Sequence, residues 1–107
     1  MAKGYIVSVH NKIIDEEKLK IYGVHAKPAL EANGGKYVAR GSNISKLEGI
    51  PPERCSILEF DSVEAAKSFY NSDEYQAAKD KLEGKEDRVM FIIEGVWYLG
   101  CLWIIKN

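Results

Sequence analysis

The order in which this chain changes its hydrophobic period restricts its fold more than any single motif. Tyr5, Val7 and Val9 alternate with Ile6, Ser8 and His10, a period of two that predicts a strand over Gly4–His10. Asn11-Lys12 is a turn signal, and Asp15 is a good helix cap with Glu16 and Glu17 placed for the first turn. Leu19, Tyr22, Ala26 and Leu30 then recur at helical spacing. Pro28 lacks a backbone donor, so a kink or break is expected about one turn before it. Gly34-Gly35 ends the helix, because glycine takes the left-handed cap conformation without strain. A second strand is expected over Lys36–Asn43, a loop over Ser45–Glu53, and a third strand over Arg54–Phe60. Ser62 caps a second helix carrying Ala66, Phe69 and Tyr70, and Ser72 restarts it with Tyr75, Ala78 and Leu82 on one face. Gly84 ends that segment, and an apolar strand follows from Asp87 through Val89–Ile93. The sequence βαββαβ specifies a ferredoxin-like α+β domain with an antiparallel sheet.

At 107 residues the chain makes one domain, residues 1–107, with a core over about 4–96 and an extension over 97–107. Fifteen basic and 16 acidic residues leave a net charge of -1, too little positive charge to hold a phosphate backbone, so no nucleic-acid partner is expected. Met1-Ala2-Lys3-Gly4 leads straight into a strand without an apolar leader, which predicts a cytoplasmic protein. From Val89 to Ile105 the only charge is Glu94, yet this run falls short of the ~20 residues a membrane helix needs, and Gly95 and Gly100 interrupt it. It reads instead as a strand, a turn and an extra C-terminal strand, with no membrane partner. Trp97, Tyr98, Leu102, Trp103 and Ile105 cannot all be buried in so small a monomer; a homodimer is therefore expected, with the tail packed on or exchanged with the second subunit. Cys55 and Cys101 lack metal-type spacing and read as reduced thiols.

Strand alternation suggests where chemistry is placed. With Phe60 beside the cap Ser62 and turned toward the helices, Glu59, Ile57 and Cys55 take the other face. Assigning Val7 and Val9 to the helices puts Ser8 and His10 on the Glu59 side, and Arg40 joins them if Ala39 packs under a helix. An Arg40–Glu59 pair beside His10 would orient a carboxylate or transfer a proton. The structural reading is favoured over that one: a cross-strand or inter-subunit Arg40–Glu59 ion pair with His10 at an exposed strand end, while His25 reads as a surface or interface residue. No phosphate-cradling glycine loop, metal-spaced cluster or G-x-S-x-G elbow is present, so neither a metal nor a cofactor is expected.

The blocks Gly34–Gly41, Glu48-Gly49, Leu58–Ser62, Ala65-Ala66 and Phe69–Gln76, which occur together in order, resemble the DUF1330 family over about residues 4–96. The resemblance implies a dimeric α/β barrel, a ferredoxin-like monomer pairing through its sheet. It also implies recurring polar positions at Arg40, Glu59, Tyr70, Ser72 and Tyr75 as ligand-binding residues. Leu82 stands near where relatives often carry an arginine, and the tail from Trp97 onward extends past the usual end. Two functions follow as expectations. One is binding or transformation of a small organic molecule, acids included, in a cleft between sheet and helices, with Arg40 holding an anionic group and Glu59 or His10 acting on protons. The other is a non-enzymatic homodimeric interaction module that uses the apolar tail.

Overall fold

The computed structural model describes residues 2–84, 86–99 and 102–104, the last of these and 97–99 as backbone. Strand β1 spans Gly4–Lys12, helix α1 Glu16–Ala32, β2 Lys36–Gly41 and β3 Arg54–Phe60. Helices α2, Val63–Asn71, and α3, Asp73–Asp80, follow, then β4, Asp87–Glu94, and two short strands, β5 Trp97–Leu99 and β6 Leu102–Ile104. The four long strands form one antiparallel sheet in the order β2-β3-β1-β4. Among the described residues β5 and β6 pair with each other and not with the four-stranded sheet, so the extension contributes two strands of its own and not one added to that sheet. Among the described residues, no helix is long and apolar enough to cross a membrane.

The expected helix caps are made by the side chains that encode them. Asp15 accepts from the Lys18 N–H at 3.0 Å and Ser62 Oγ from the Ala65 N–H at 3.0 Å. Ser72 Oγ accepts from the Tyr75 N–H at 3.2 Å and donates to the Phe69 carbonyl at 2.7 Å, so one hydroxyl closes α2 and opens α3. At the end of α1, Gly34 N–H reaches the Glu31 carbonyl and Gly35 N–H the Leu30 carbonyl, with Gly34 at φ +72°. This paired-bond termination needs a left-handed residue, and glycine supplies it without strain. Pro28 does not break α1, which runs unbroken through it; Pro28 and Val24, whose carbonyl loses its partner, both lie on the exposed side where water replaces that bond.

The core lies between one face of the sheet and the three helices. Ile6, Leu58 and Phe60 meet Ala26, Ala29, Leu30, Ala66, Phe69, Tyr75 and Ala78. The Phe69 ring lies 5.3 Å from Phe60 and 4.7 Å from Tyr75, the offset contacts that add ~0.5–1.5 kcal/mol per pair to simple area burial. Register assigns the faces. Gly4 lies opposite Phe60, Ile6 opposite Leu58, Ser8 opposite Ser56 and His10 opposite Arg54, and direct antiparallel partners share a face. Phe60 is buried under the helices, so Ile6, Ser8 and His10 point there too, and Tyr5, Val7 and Val9 point away. This corrects the expectation that Val7 and Val9 face the helices. Both faces of the sheet are apolar, so alternation within β1 alone does not reveal which is inside.

Gly4 marks the closest approach of sheet and helix: a β-carbon there would stand 2.5 Å from the Ser62 carbonyl oxygen and 2.7 Å from the Val63 Cα. Neither backbone atom can yield without moving the start of α2. Gly4→Ala is expected to destabilise the protein by ~2 kcal/mol, as overpacked sites do. Urea denaturation would show this as a lowered midpoint; an unchanged midpoint would refute the close-packing account.

Candidate functional site

The helix-side face of the sheet carries successive cross-strand rows. Tyr37, Leu58, Ile6 and Ile92 make an apolar row; Arg40, Ser56, Ser8 and Met90 make the next; Arg54, His10 and Arg88 make the one beyond. Over the second and third rows α1 lays Leu19, Tyr22 and Ala26, and the space between is a cleft of about 70 Å³. Arg40, Arg54, Ser8, Ser56 and His10 supply its polar lining. A water-sized site takes roughly 10–15 Å³ on this measure, so the enclosed part admits a fragment of about five to seven non-hydrogen atoms.

Arg40 reaches this face through an irregularity in β2. Lys36 lies opposite Glu59 and Tyr37 opposite Leu58, but Ala39 is the next residue in register, opposite Ile57. Val38 is the extra residue of a β-bulge, and Tyr37 and Arg40, three apart, fall on the same side. The Arg40 guanidinium stacks 4.2 Å from the Tyr37 ring centre. Among the described residues every side-chain ion pair is made by a lysine, and none of Arg40, Arg54 and Arg88 has a carboxylate within 4.0 Å.

Arg88 is committed to a buried hydroxyl chain instead. It donates to the Tyr22 hydroxyl at 3.1 Å and lies over that ring. Tyr22 and Tyr75 hydroxyls are 3.0 Å apart, and Tyr75 donates to the Met90 sulfur at 3.5 Å. Because the single Tyr75 hydrogen goes to sulfur, Tyr22 must donate to Tyr75, and the chain runs one way from guanidinium to thioether. Burial, then the neighbouring Tyr22, raises the Tyr75 pKa.

The sequence-predicted residues therefore separate. Arg40 and His10 meet at the cleft; Glu59 does not join them. It lies on the opposite, open face, accepting from the Tyr5 hydroxyl at 3.0 Å and pairing with Lys36 at 3.3 Å and Lys3 at 3.8 Å. The Tyr5 hydrogen bond, then the two lysines, hold its carboxyl below the ordinary value against opposing desolvation. Ser72 is spent on the helix junction and Tyr75 on the core. Tyr70 packs 5.3 Å from the Tyr75 ring and faces Met90 and Ile92, away from the cleft. The tail side chains and Cys101 lie outside the described residues, and Cys55 is a half-buried free thiol on the open face. Two cleft residues were missed, Arg54 and Ser56, although both share parity with Phe60 on one strand and are therefore readable from sequence.

His10 is 5% exposed, and among the described residues neither ring nitrogen has a hydrogen-bond partner. Burial, then Arg88 and Arg54, lowers its pKa from 6.5 to about 4. Between these values the unfolded chain binds the proton and the folded one does not, so folding stability rises with pH across that window. The difference is worth ~3 kcal/mol, present above pH 6.5 and lost as pH falls toward 4. Replacing His10 with Gln should flatten that part of the stability profile; urea titrations near pH 4.5 and 7 check it, and identical slopes for both proteins would refute it.

The fold and its cleft define the chain as a ferredoxin-like α+β domain. The chain belongs to the DUF1330 family, a domain of unknown function whose model matches residues 3–96. Among proteins of curated function, none matches it. Solved structures agree on the fold. A protein of unknown function from Rhodopseudomonas palustris is similar at 20% identity with a TM-score of 0.70, over 86% of this chain and 81% of that one. A dimeric ferredoxin-like protein of unknown function from Thermobifida fusca aligns at 13% identity and a TM-score of 0.61, over 86% and 90% of the two chains. SnoaB, a cofactor-independent oxygenase from Streptomyces nogalater, aligns at 7% identity and a TM-score of 0.64, over 94% and 99%.

Proposed function

We propose that the protein is a homodimer that binds a small organic anion in the cleft between the sheet and α1. The observation that carries this is a pair of arginines, Arg40 and Arg54, without a carboxylate partner among the described residues, at a cavity that also exposes Ser8, Ser56 and His10. Arg54 is half-buried, and such a cation without a counter-ion is unfavourable; a ligand carboxylate removes that penalty and matches the planar fork of Arg54 and of the exposed Arg40 beside it. The enclosed volume suits a short acid or the head of a longer one. SnoaB, a cofactor-independent oxygenase with the same fold, supports an active use of this architecture.

The dimer rests on the open face. Val7, Ile57 and Phe91 form one apolar row, and Val9, Cys55 and Val89 another, while Phe91, Ile93 and Val89 are each about half exposed. A second copy covers such a face, as the dimeric relative from Thermobifida fusca leads one to expect. Glu59, Lys36 and Tyr5 border this surface and act there in pairing register, not as ligand contacts.

Arg40→Ala should weaken binding of small carboxylates such as pyruvate or succinate at least tenfold in calorimetry, whereas Glu59→Gln should leave it unchanged; equal affinity in Arg40→Ala would sink the anion reading. In sedimentation at micromolar concentration the wild type should run as a dimer and Phe91→Asp as a monomer. A monomeric wild type would remove the open face from the account.

A further inference from the structure

His10 stands between two cavities. One is the cleft; the other is a smaller space closed by Asp15, Leu19, Leu82 and Glu86. Oε2 of Glu86 is buried there with no hydrogen-bond partner among the described residues. A buried carboxylate oxygen without a donor is unfavourable; of the side chains lining that space His10 and Lys12 carry donors, and of these His10 alone also lines the cleft, where a doubly protonated ring can donate to both sides at once. On the cleft side Arg54 lies directly opposite His10 across β3, and Ser8 stands two residues back on the same face.

We propose that the cleft is a proton-coupled anion site: a carboxylate-sized anion seats against Arg54, Ser8 and His10, and His10 takes up one proton from solvent as it binds, giving one N–H to the anion and turning the other toward Glu86. This deepens the reading of the cleft as an anion site and rests on it.

The charges around the ring explain the coupling. Arg54 on β3 and Arg88 on β4 flank His10 in register, Arg40 on β2 lies one row away, and Lys12 follows on its own strand. From α1 and its cap, Tyr22 and Asp15 face the two cavities, and Glu86 precedes β4. Without an anion, burial and then Arg88 and Arg54 keep the imidazole neutral. An anion cancels part of the arginine field, and its own negative charge beside the ring favours the imidazolium. By linkage, whatever raises the proton affinity of His10 on binding also makes the anion bind more tightly as pH falls.

The chain has two histidines, so the exposed His25 can be replaced by Gln to leave one imidazole signal for NMR. With saturating pyruvate the His10 midpoint should rise by about one pH unit or more from its ligand-free position. Pyruvate affinity should fall by up to about tenfold per pH unit between the two midpoints, and calorimetry near pH 5.5 in two buffers of different ionisation enthalpy should register net proton uptake. His10→Gln should bind pyruvate without that pH dependence, and Glu86→Gln should shrink the rise in midpoint. Pyruvate bound with the His10 midpoint unmoved and no proton uptake overturns the proposal and leaves the anion site standing. A rise undiminished in Glu86→Gln overturns the part assigned to Glu86. If pyruvate, acetate and succinate all fail to bind, the anion reading falls with it.

Discussion

Everything in this molecule depends on one register: Gly4 opposite Phe60 in the β1–β3 ladder. Direct partners in an antiparallel pair share a face, so the burial of Phe60 against Phe69 commits Ile6, Ser8 and His10 to the helix side. It equally commits Tyr5, Val7 and Val9 to the open side. A slip of one residue would exchange the two sets entirely. The absence of a side chain at Gly4 lets α2 begin directly over this ladder and pins the register at its end. Two compartments of different chemistry result: a helix-covered cleft lined by arginines, and an apolar surface bordered by a satisfied Glu59–lysine–tyrosine cluster.

The interior is polar in an ordered way. Arg88, Tyr22, Tyr75 and Met90 form a chain in which each hydroxyl both accepts and donates, and Ser72 meets both of its hydrogen-bonding needs within the α2–α3 junction. Such groups stiffen the region behind the cleft while leaving their own valences closed to a ligand. His10, Arg54 and Arg40 differ because their valences remain open toward a cavity. Satisfaction, more than polarity, separates the residues that build the wall from those available to a guest.

Local signals were legible in sequence. Asp15, Ser62, Ser72 and Gly34 act where their chemistry places them, since a cap depends only on its own few residues. The order of elements, and hence the fold, followed from them. Face assignment was not legible, because β1 is apolar on both sides and the choice rests on a partner strand 50 residues away. Arg40 was harder still: alternation carried through Val38 puts it with Glu59, and only the pairing of β2 with β3 shows the extra residue. Arg54 and Ser56 were readable from Phe60 by simple parity, whereas Arg88 and Glu86 depend on the β4 register and the turn before it.

The bulge at Val38 makes β2 sensitive to length in a way its composition hides. An indel there would leave the strand intact and its side chains chemically the same. It would nonetheless move the Arg40 guanidinium from the cleft to the surface that faces a second copy, exchanging a ligand contact for a charge in an apolar seam. Relatives that differ by one residue in this strand are thus not neutral spacers of one another, and aligning them by counting positions would equate arginines that occupy opposite compartments.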